Sequence, residues 1–163
     1  MKNVAKYFRR FFKTSPMDLR LATKDDIPDL VRLRIAFLKV EKPEPNALKE
    51  GLLELALGNY FVRHLETGDL VCWVATDLGQ IVAGGGICFN HYPPDFEAME
   101  EEMAQLVNLY VLPGYRDDEL GQQLFAKLLE EAERREVSVI TVQDTEMGKG
   151  GNTNFSLANR IKI

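Results

Sequence analysis

The sequence predicts an α/β fold in which a mixed β-sheet is covered by helices. Three observations lead there. Short apolar runs with period-two alternation are interspersed with longer stretches whose apolar residues recur every three to four positions. Two strand-like runs, "DLVCWVATD" and "QIVAGGGICF", meet across Leu78-Gly79 with the spacing of an antiparallel hairpin. Finally, "AQLVNLYVL", a long amphipathic stretch and "VSVITVQ" follow one another as strand, helix and strand. That plan is expected to close as a parallel, right-handed crossover.

The elements follow in chain order. Residues 1–16, "MKNVAKYFRRFFKTSP", place Val4, Tyr7, Phe8, Phe11 and Phe12 on one face of a helix and the bases on the other, until Ser15-Pro16 stops it. Such a segment suits an anionic membrane surface, or packs on this domain or on a neighbouring copy. "DLRLAT" reads as a short strand. Thr23 with Asp26 opens a capped helix whose apolar side is Ile27, Leu30, Val31, Leu33 and Ile35 to Leu38. Lys42-Pro43-Glu44-Pro45 breaks it, and Asn46 caps a second helix. There Leu48, Leu52, Leu55, Leu57, Phe61 and Leu65 are expected to form a broad buried stripe.

The hairpin comes next, with Gly84-Gly85-Gly86 inside its second strand, which suggests a bulge or a close approach of backbone. "NHYPPDFEAMEEEM" is a loop or a single helical turn. After the strand "AQLVNLYVL", a helix from about Arg116 to Glu136 buries Leu120, Leu124, Phe125, Leu128, Leu129 and Ala132. The order is therefore β, α, α, β, β, β, α, β. From Gly150 to Ile163 no period is evident, and this stretch is expected to be an irregular tail. Domain boundaries follow at 1–16, 17–149 and 150–163.

Composition narrows the function. With 163 residues, 45% of them hydrophobic, the chain can build one core of useful size, and no run of 18 apolar residues is present to span a membrane. Residues 1–16 carry five bases and no acid; the other residues carry 20 − 5 = 15 bases against 25 acids, or −10. That acidity argues against nucleic acid and favours a cationic acceptor. Cys72 and Cys88 lie in strand-like runs without metal-ligand spacing, so buried reduced thiols and a cytoplasmic setting are expected, with no metal.

Together "RLATKDDIPDLVRLR", "VCWVATDLGQIVAGGGICF" and "LVNLYVLPGYRDDELGQQLFAKLLEEAERR" resemble the GCN5-related N-acetyltransferase (GNAT) superfamily over about Met17 to Lys149. Its most specific stretch, Val107 to Leu124, matches the family's strand, turn and Arg/Gln-x-x-Gly-x-Gly/Ala helix start at Arg116 and Gly121; Glu119 replaces the middle glycine. The resemblance implies acetyl-CoA as donor and an amine as acceptor. It places the pantetheine arm along the main chain of Leu109, Tyr110 and Val111, with the strand 138–143 splayed away. The pyrophosphate falls on the amides of Arg116, Asp117, Asp118, Glu119, Leu120, Gly121 and Gln122.

Two features cut across that pattern. A carboxylate about 5 Å from a phosphate charge costs on the order of 1 kcal/mol in water, so Asp117, Asp118 and Glu119 oppose the anion while stabilising the helix start. The family's C-terminal tyrosine, which protonates the departing thiolate, has no counterpart between Gly150 and Ile163. A truncated or frame-altered C-terminus, an exposed strand edge at 138–143 and pairing of two copies there are the corresponding expectations. The alternative function is a catalytically degenerate GNAT fold serving as a binding or oligomer-assembly module.

Other candidates stay open. Glu97, Glu100, Glu101 and Glu102 attract a cationic amine or are a solvated charge run. Tyr92, Pro93, Pro94 and Phe96 line an acceptor pocket or stiffen a loop. Asp144 and Glu146 assist deprotonation or cap a helix. With only two histidines, His64 on a helix among apolar residues and His91 at the start of a loop, neither taken as adjacent to a cysteine, no metal site or Cys–His pair is expected.

Overall fold

The computed structural model describes residues 17–41, 46–96, 99, 102–115, 118–137, 139–142 and 153–156. Among the described residues the alternating apolar runs become five strands, β1 (Asp18–Leu21), β2 (Leu70–Asp77), β3 (Gln80–His91), β4 (Glu102–Val111) and β5 (Val139–Val142), and a sixth, β6 (Thr153–Ser156), joins them. Three α-helices, α1 (Ile27–Glu41), α2 (Ala47–Thr67) and α3 (Asp118–Arg134), follow the amphipathic stretches. The strand order across the sheet is the chain order, β1 to β6. Every neighbouring pair is antiparallel except β4 and β5, which are parallel and joined through α3, as the crossover plan requires.

Period-two alternation assigns the two faces. On β2, Leu70, Cys72 and Val74 point into a core with Leu30, Leu33, Phe37 and Phe61 from α1 and α2. Ala75 points the opposite way, toward Leu120 and Leu124 of α3, with Trp73 packed on that side. Trp73 also reaches a charged partner: its Nε1 donates to Glu131 Oε1 at 3.0 Å, and Glu131, 5% exposed, is held from its other oxygen by Arg134 at 3.1 Å.

The predicted helix starts are present. The Asp26 carboxylate accepts from the Thr23 N–H at 2.7 Å, and Asn46 Oδ1 accepts from the Lys49 N–H at 2.9 Å. Gly68, at φ +78°, ends α2 in the left-handed conformation that favours glycine.

Two expectations are corrected. The stripe on α2 is only half buried. Phe61 is inside, but Leu48, Leu52 and Leu55 are 73%, 59% and 69% exposed, because they sit on the side of α2 turned away from both α1 and the sheet. The irregular tail also contains a strand: β6 pairs antiparallel with β5, from Val139 opposite Ser156 to Val142 opposite Thr153. The N–H and C=O groups along the outer side of β5 therefore meet the chain's own tail and are not an exposed edge. The N-terminal helix expected over 1–16 lies outside the described residues, as does the rest of the tail.

Candidate active site

The site is built on β4. Gly84 stands opposite Tyr110 and Gly86 opposite Val107, so Asn108 and Leu109 together face the single residue Gly85. This is a β-bulge, and Asn108 supports it by adopting φ +58°, a conformation that asparagine tolerates better than most side chains. Gly85 is required by the close approach: a Cβ there would stand 2.9 Å from Leu128 Cδ1 and 3.0 Å from Leu109 Cδ1. The triple glycine thus serves both purposes that its sequence suggested. On the bulged strand itself the sequence signal is an asparagine in the middle of an apolar run.

Beyond the bulge, β4 outruns its parallel neighbour. The pairing with β5 covers Ala104, Gln105 and Leu106 opposite Ile140, Thr141 and Val142, and β4 then continues to Val111. Leu109, Tyr110 and Val111 bury their side chains, at 2%, 3% and 5% exposed, so only their main chain is suited to meet a ligand. Whether the strand expected over 138–143 splays past Val142 concerns residues outside those described.

At the end of β4 the chain tightens. The Leu112 N–H donates to Val82 O at 2.9 Å, and the Tyr115 N–H to Leu112 O at 2.8 Å, closing a 3-10 turn over Pro113–Tyr115. Leu120 is buried in the cluster of Leu109, Val111 and Leu124, which fixes the first turn of α3 against β4. Gly121 is different: among the described residues no heavy atom beyond its chain neighbours and its own helix backbone lies within 4 Å of where its Cβ would be, and at Gly114 none beyond its chain neighbours does. Packing does not demand glycine at either place, and the surface there is open to a ligand.

The acidic side chain that replaces the family's middle glycine turns along the helix. Glu119 is exposed, and its Oε1 accepts from Gln123 Nε2 at 3.2 Å, one turn on; Gln122 is exposed beside them. The backbone of Asp118 opens α3. Arg116 and Asp117 lie outside the described residues, as do Glu101, Asp144 and Glu146.

At the opposite end of β3, Tyr92 is 52% exposed and Phe96 fully so. Next to them is a cavity of about 310 Å³ whose lining includes Tyr60, His64, Asp69, Cys88, Asn90 and His91. Of these, Tyr60, Asp69 and Asn90 carry no motif in the sequence; the one local signal is the helical spacing of Tyr60 and His64, whose rings lie 4.5 Å apart. Both cysteines are free thiols. Burial pushes the Cys72 thiol up strongly, and burial also pushes up Cys88, whose Sγ is 3.3 Å from Tyr60 Oη, so neither is a thiolate nucleophile at neutral pH. Among the described residues no group of three or more His, Cys, Asp or Glu could hold a metal ion, and no helix is long and apolar enough to cross a membrane.

The model of the acetyltransferase (GNAT) family matches residues 34–152. A predicted acetyltransferase of Clostridium acetobutylicum, solved with acetyl-CoA, is 28% identical; the match covers 82% of this chain and 84% of that one, with a TM-score of 0.74. A GCN5-related N-acetyltransferase of Ralstonia eutropha JMP134 shares the fold at 24% identity and a TM-score of 0.73, over 91% of this chain and 92% of its own. An aminoglycoside acetyltransferase from a soil metagenomic sample shares it more distantly, at 20% identity and a TM-score of 0.55, over 79% of this chain and 80% of that one. No curated protein matches the chain at a significant level.

Proposed function

The chain belongs to the GNAT family of acetyltransferases, and we propose that it transfers an acetyl group from acetyl-CoA to a primary amine of a small molecule or peptide. The observation that carries this reading is the continuity of one surface. A bulged β4 runs past its parallel neighbour and leads into a helix start that glycine leaves open at Gly121.

The residues divide the work by chemistry. Main-chain groups of Leu109, Tyr110 and Val111 hold an extended amide-bearing arm as a further strand would. The first amides of α3, from Asp118 to Gly121, are assigned to a diphosphate at the positive end of the helix dipole, together with the residues Arg116, Asp117 and Gln122 that the family pattern adds. The bound donor supplies an acetyl thioester. The acceptor must arrive as the free amine; its nitrogen forms the new bond to the acetyl carbon, the carbon–sulfur bond breaks with its electron pair leaving on sulfur, the nitrogen's surplus proton passes to a base, and the coenzyme A thiolate takes up a proton and departs as the thiol. Asp144 and Glu146, just beyond β5, are assigned to that base, and Tyr92, Phe96 and Glu101 to the acceptor's approach. The acidic body of the chain favours a cationic acceptor over nucleic acid. Two free thiols, both with raised pKa, suit a reducing cytoplasm.

The sequence of the α3 start favours a second reading. Glu119 stands where the family carries glycine, as in a fold kept for binding or assembly after catalysis is lost. Calorimetric titration with acetyl-CoA, paired with a free-thiol assay over a panel of amines, separates the two. Micromolar binding with amine-dependent thiol release is the expected result. Absence of heat at millimolar acetyl-CoA would overturn the enzyme reading and leave the module.

A further inference from the structure

Among the described residues, nothing packs on the outer side of the α1–α2 pair, and that side is apolar. Leu48, Leu52 and Leu55 recur at four- and three-residue spacing along α2, all of them mostly exposed, and Val62 extends the row by two turns. Beside the row a groove of about 620 Å³ runs between the two helices. Scattered exposed leucines need no partner, but a row continuous with a groove of this size marks an interaction surface.

The charges along the groove are sorted by helix. α1 contributes Arg32 and Lys39, and α2 contributes Glu50 and Glu54. Lys39 reaches Glu50 at 2.6 Å with one of its three donors. Arg32 donates to Asp29 and to Ile81 O through Nε and Nη2, which leaves Nη1 without a partner among the described residues. Exposed Glu54 has no ion-pair partner among the described residues. The ion pairs Lys39–Glu50 and Lys24–Glu66 also fix the levels of the two antiparallel helices. Counted from Lys39 and Glu50, Arg32 lies about 5 Å along the axis from the level of Glu54.

This pattern complements itself. A two-fold axis parallel to the helices and above the groove lays α1 of one copy over α2 of the other without changing levels. Lys39 then faces Glu50 of the other copy, and Arg32 comes within side-chain reach of its Glu54. The leucine row is roofed by the outer side of α1, with Pro28 at the level of Val62 and the stems of Arg32 and Lys39 over the leucines. The other two-fold that stacks these faces, perpendicular to the helices, sets α1 on α1 and α2 on α2, base against base and acid against acid. Lys49 and Arg63, on the flank of α2 away from the groove, stay at the rim. The helices have 15 and 21 residues, and at about 10 Å in width they present a flat footprint of about 500 Å² per copy. Two copies together thus bury about 1,000 Å² or more, the size at which a specific interface begins.

We propose that the chain forms a two-fold dimer through this face, with α1 of each copy against α2 of the other.

Sedimentation equilibrium of the full chain from about 1 to 100 µM, without acetyl-CoA, tests this. A species of twice the chain mass is expected, with a Kd in the micromolar range. L52D/L55D should raise that Kd by about 100-fold or more, while circular dichroism and the emission of Trp73 stay unchanged because both leucines are exposed. E54Q should raise it by about three- to tenfold, and added salt should raise it too. The perpendicular arrangement predicts the opposite sign for E54Q, since a repulsion would be removed. A chain that stays monomeric at the highest concentration overturns the proposal. So does a dimer indifferent to L52D/L55D, and so does tighter association of E54Q. Dimers that form only after deletion of residues 1–16 would also overturn it, and would give the face to the chain's own N-terminal segment.

Discussion

Arg20 and Asp26 form a bidentate pair: Nη1 and Nη2 of the arginine donate to the two carboxylate oxygens at 2.7 and 2.9 Å. The same carboxylate receives the Thr23 N–H, so one buried acid ties strand β1 to the start of α1. The Arg20 guanidinium holds its pKa down, from an ordinary 3.8 to about 2.

A carboxylate with a depressed folded-state pKa contributes stability that is present above the unfolded value and lost as pH falls through the folded one. D26N should therefore cost about 1–2 kcal/mol at pH 7. The gap between the two proteins should close as pH falls from about 4 toward 2. Urea denaturation at a series of pH values reads that difference directly; a gap that stayed constant across the window would show that the charge of Asp26 is not the source.

Gly85 and Gly121 should respond oppositely to alanine. At Gly85 the added methyl enters contacts of 2.9 and 3.0 Å with Leu128 and Leu109. G85A is expected to cost about 1–3 kcal/mol through overpacking, and to weaken acetyl-CoA binding by displacing the bulge. At Gly121 the methyl enters open space within a helix. G121A should stabilise the fold by about 0.5–1 kcal/mol, yet weaken acetyl-CoA binding where the diphosphate has to approach. Thermal melts and calorimetry on the same samples provide both readings, and a G121A protein that bound unchanged would place the phosphates elsewhere.

Glu119 is exposed and accepts a hydrogen bond from Gln123 one turn on, so removing its charge leaves the core untouched. E119Q should tighten acetyl-CoA binding by about two- to tenfold, and the gain should shrink between low and high salt as screening grows. Calorimetry at two ionic strengths checks this; a gain of the same size at both would exclude a through-space charge effect.

The hairpin turn carries a side chain in an unfavourable place. Leu78 is at φ +49°, 91% exposed, followed by Gly79 at φ +80°. Asparagine is favoured at such a turn, and the leucine contributes no packing to offset its strain. L78N should raise stability by about 0.5–1 kcal/mol, or a few degrees in Tm, with activity unaltered. Differential scanning calorimetry is sufficient to see it.

The regular scaffold was legible in the sequence because each of its elements has a local cause. Asn46 and the Thr23–Asp26 pair set helix starts, Leu78-Gly79 set the hairpin, and alternation set the faces of β2. The leucines of α2 misled because periodicity records that a helix has an apolar side, not whether the protein itself covers that side. Thr153–Ser156 escaped because four polar-rich residues have no period to detect; only the vacant side of β5 gives them a reason to be extended. At the site, Gly121 and the strand–turn–helix plan were readable from residue type. The triple glycine announced a bulge, but not that the extra residue would fall at Asn108 on the facing strand, since that depends on how the two strands are registered.

That strand order equals chain order bears on how the molecule comes into being. A polypeptide emerging from the ribosome can lay each new strand on the rim just formed, without prising open a finished sheet. β2 and β3 meet through a two-residue turn within microseconds of being released, whereas the β4–α3–β5 crossover must await a whole helix. The half of the molecule to which the donor site is assigned is therefore the last to be assembled, near the end of synthesis.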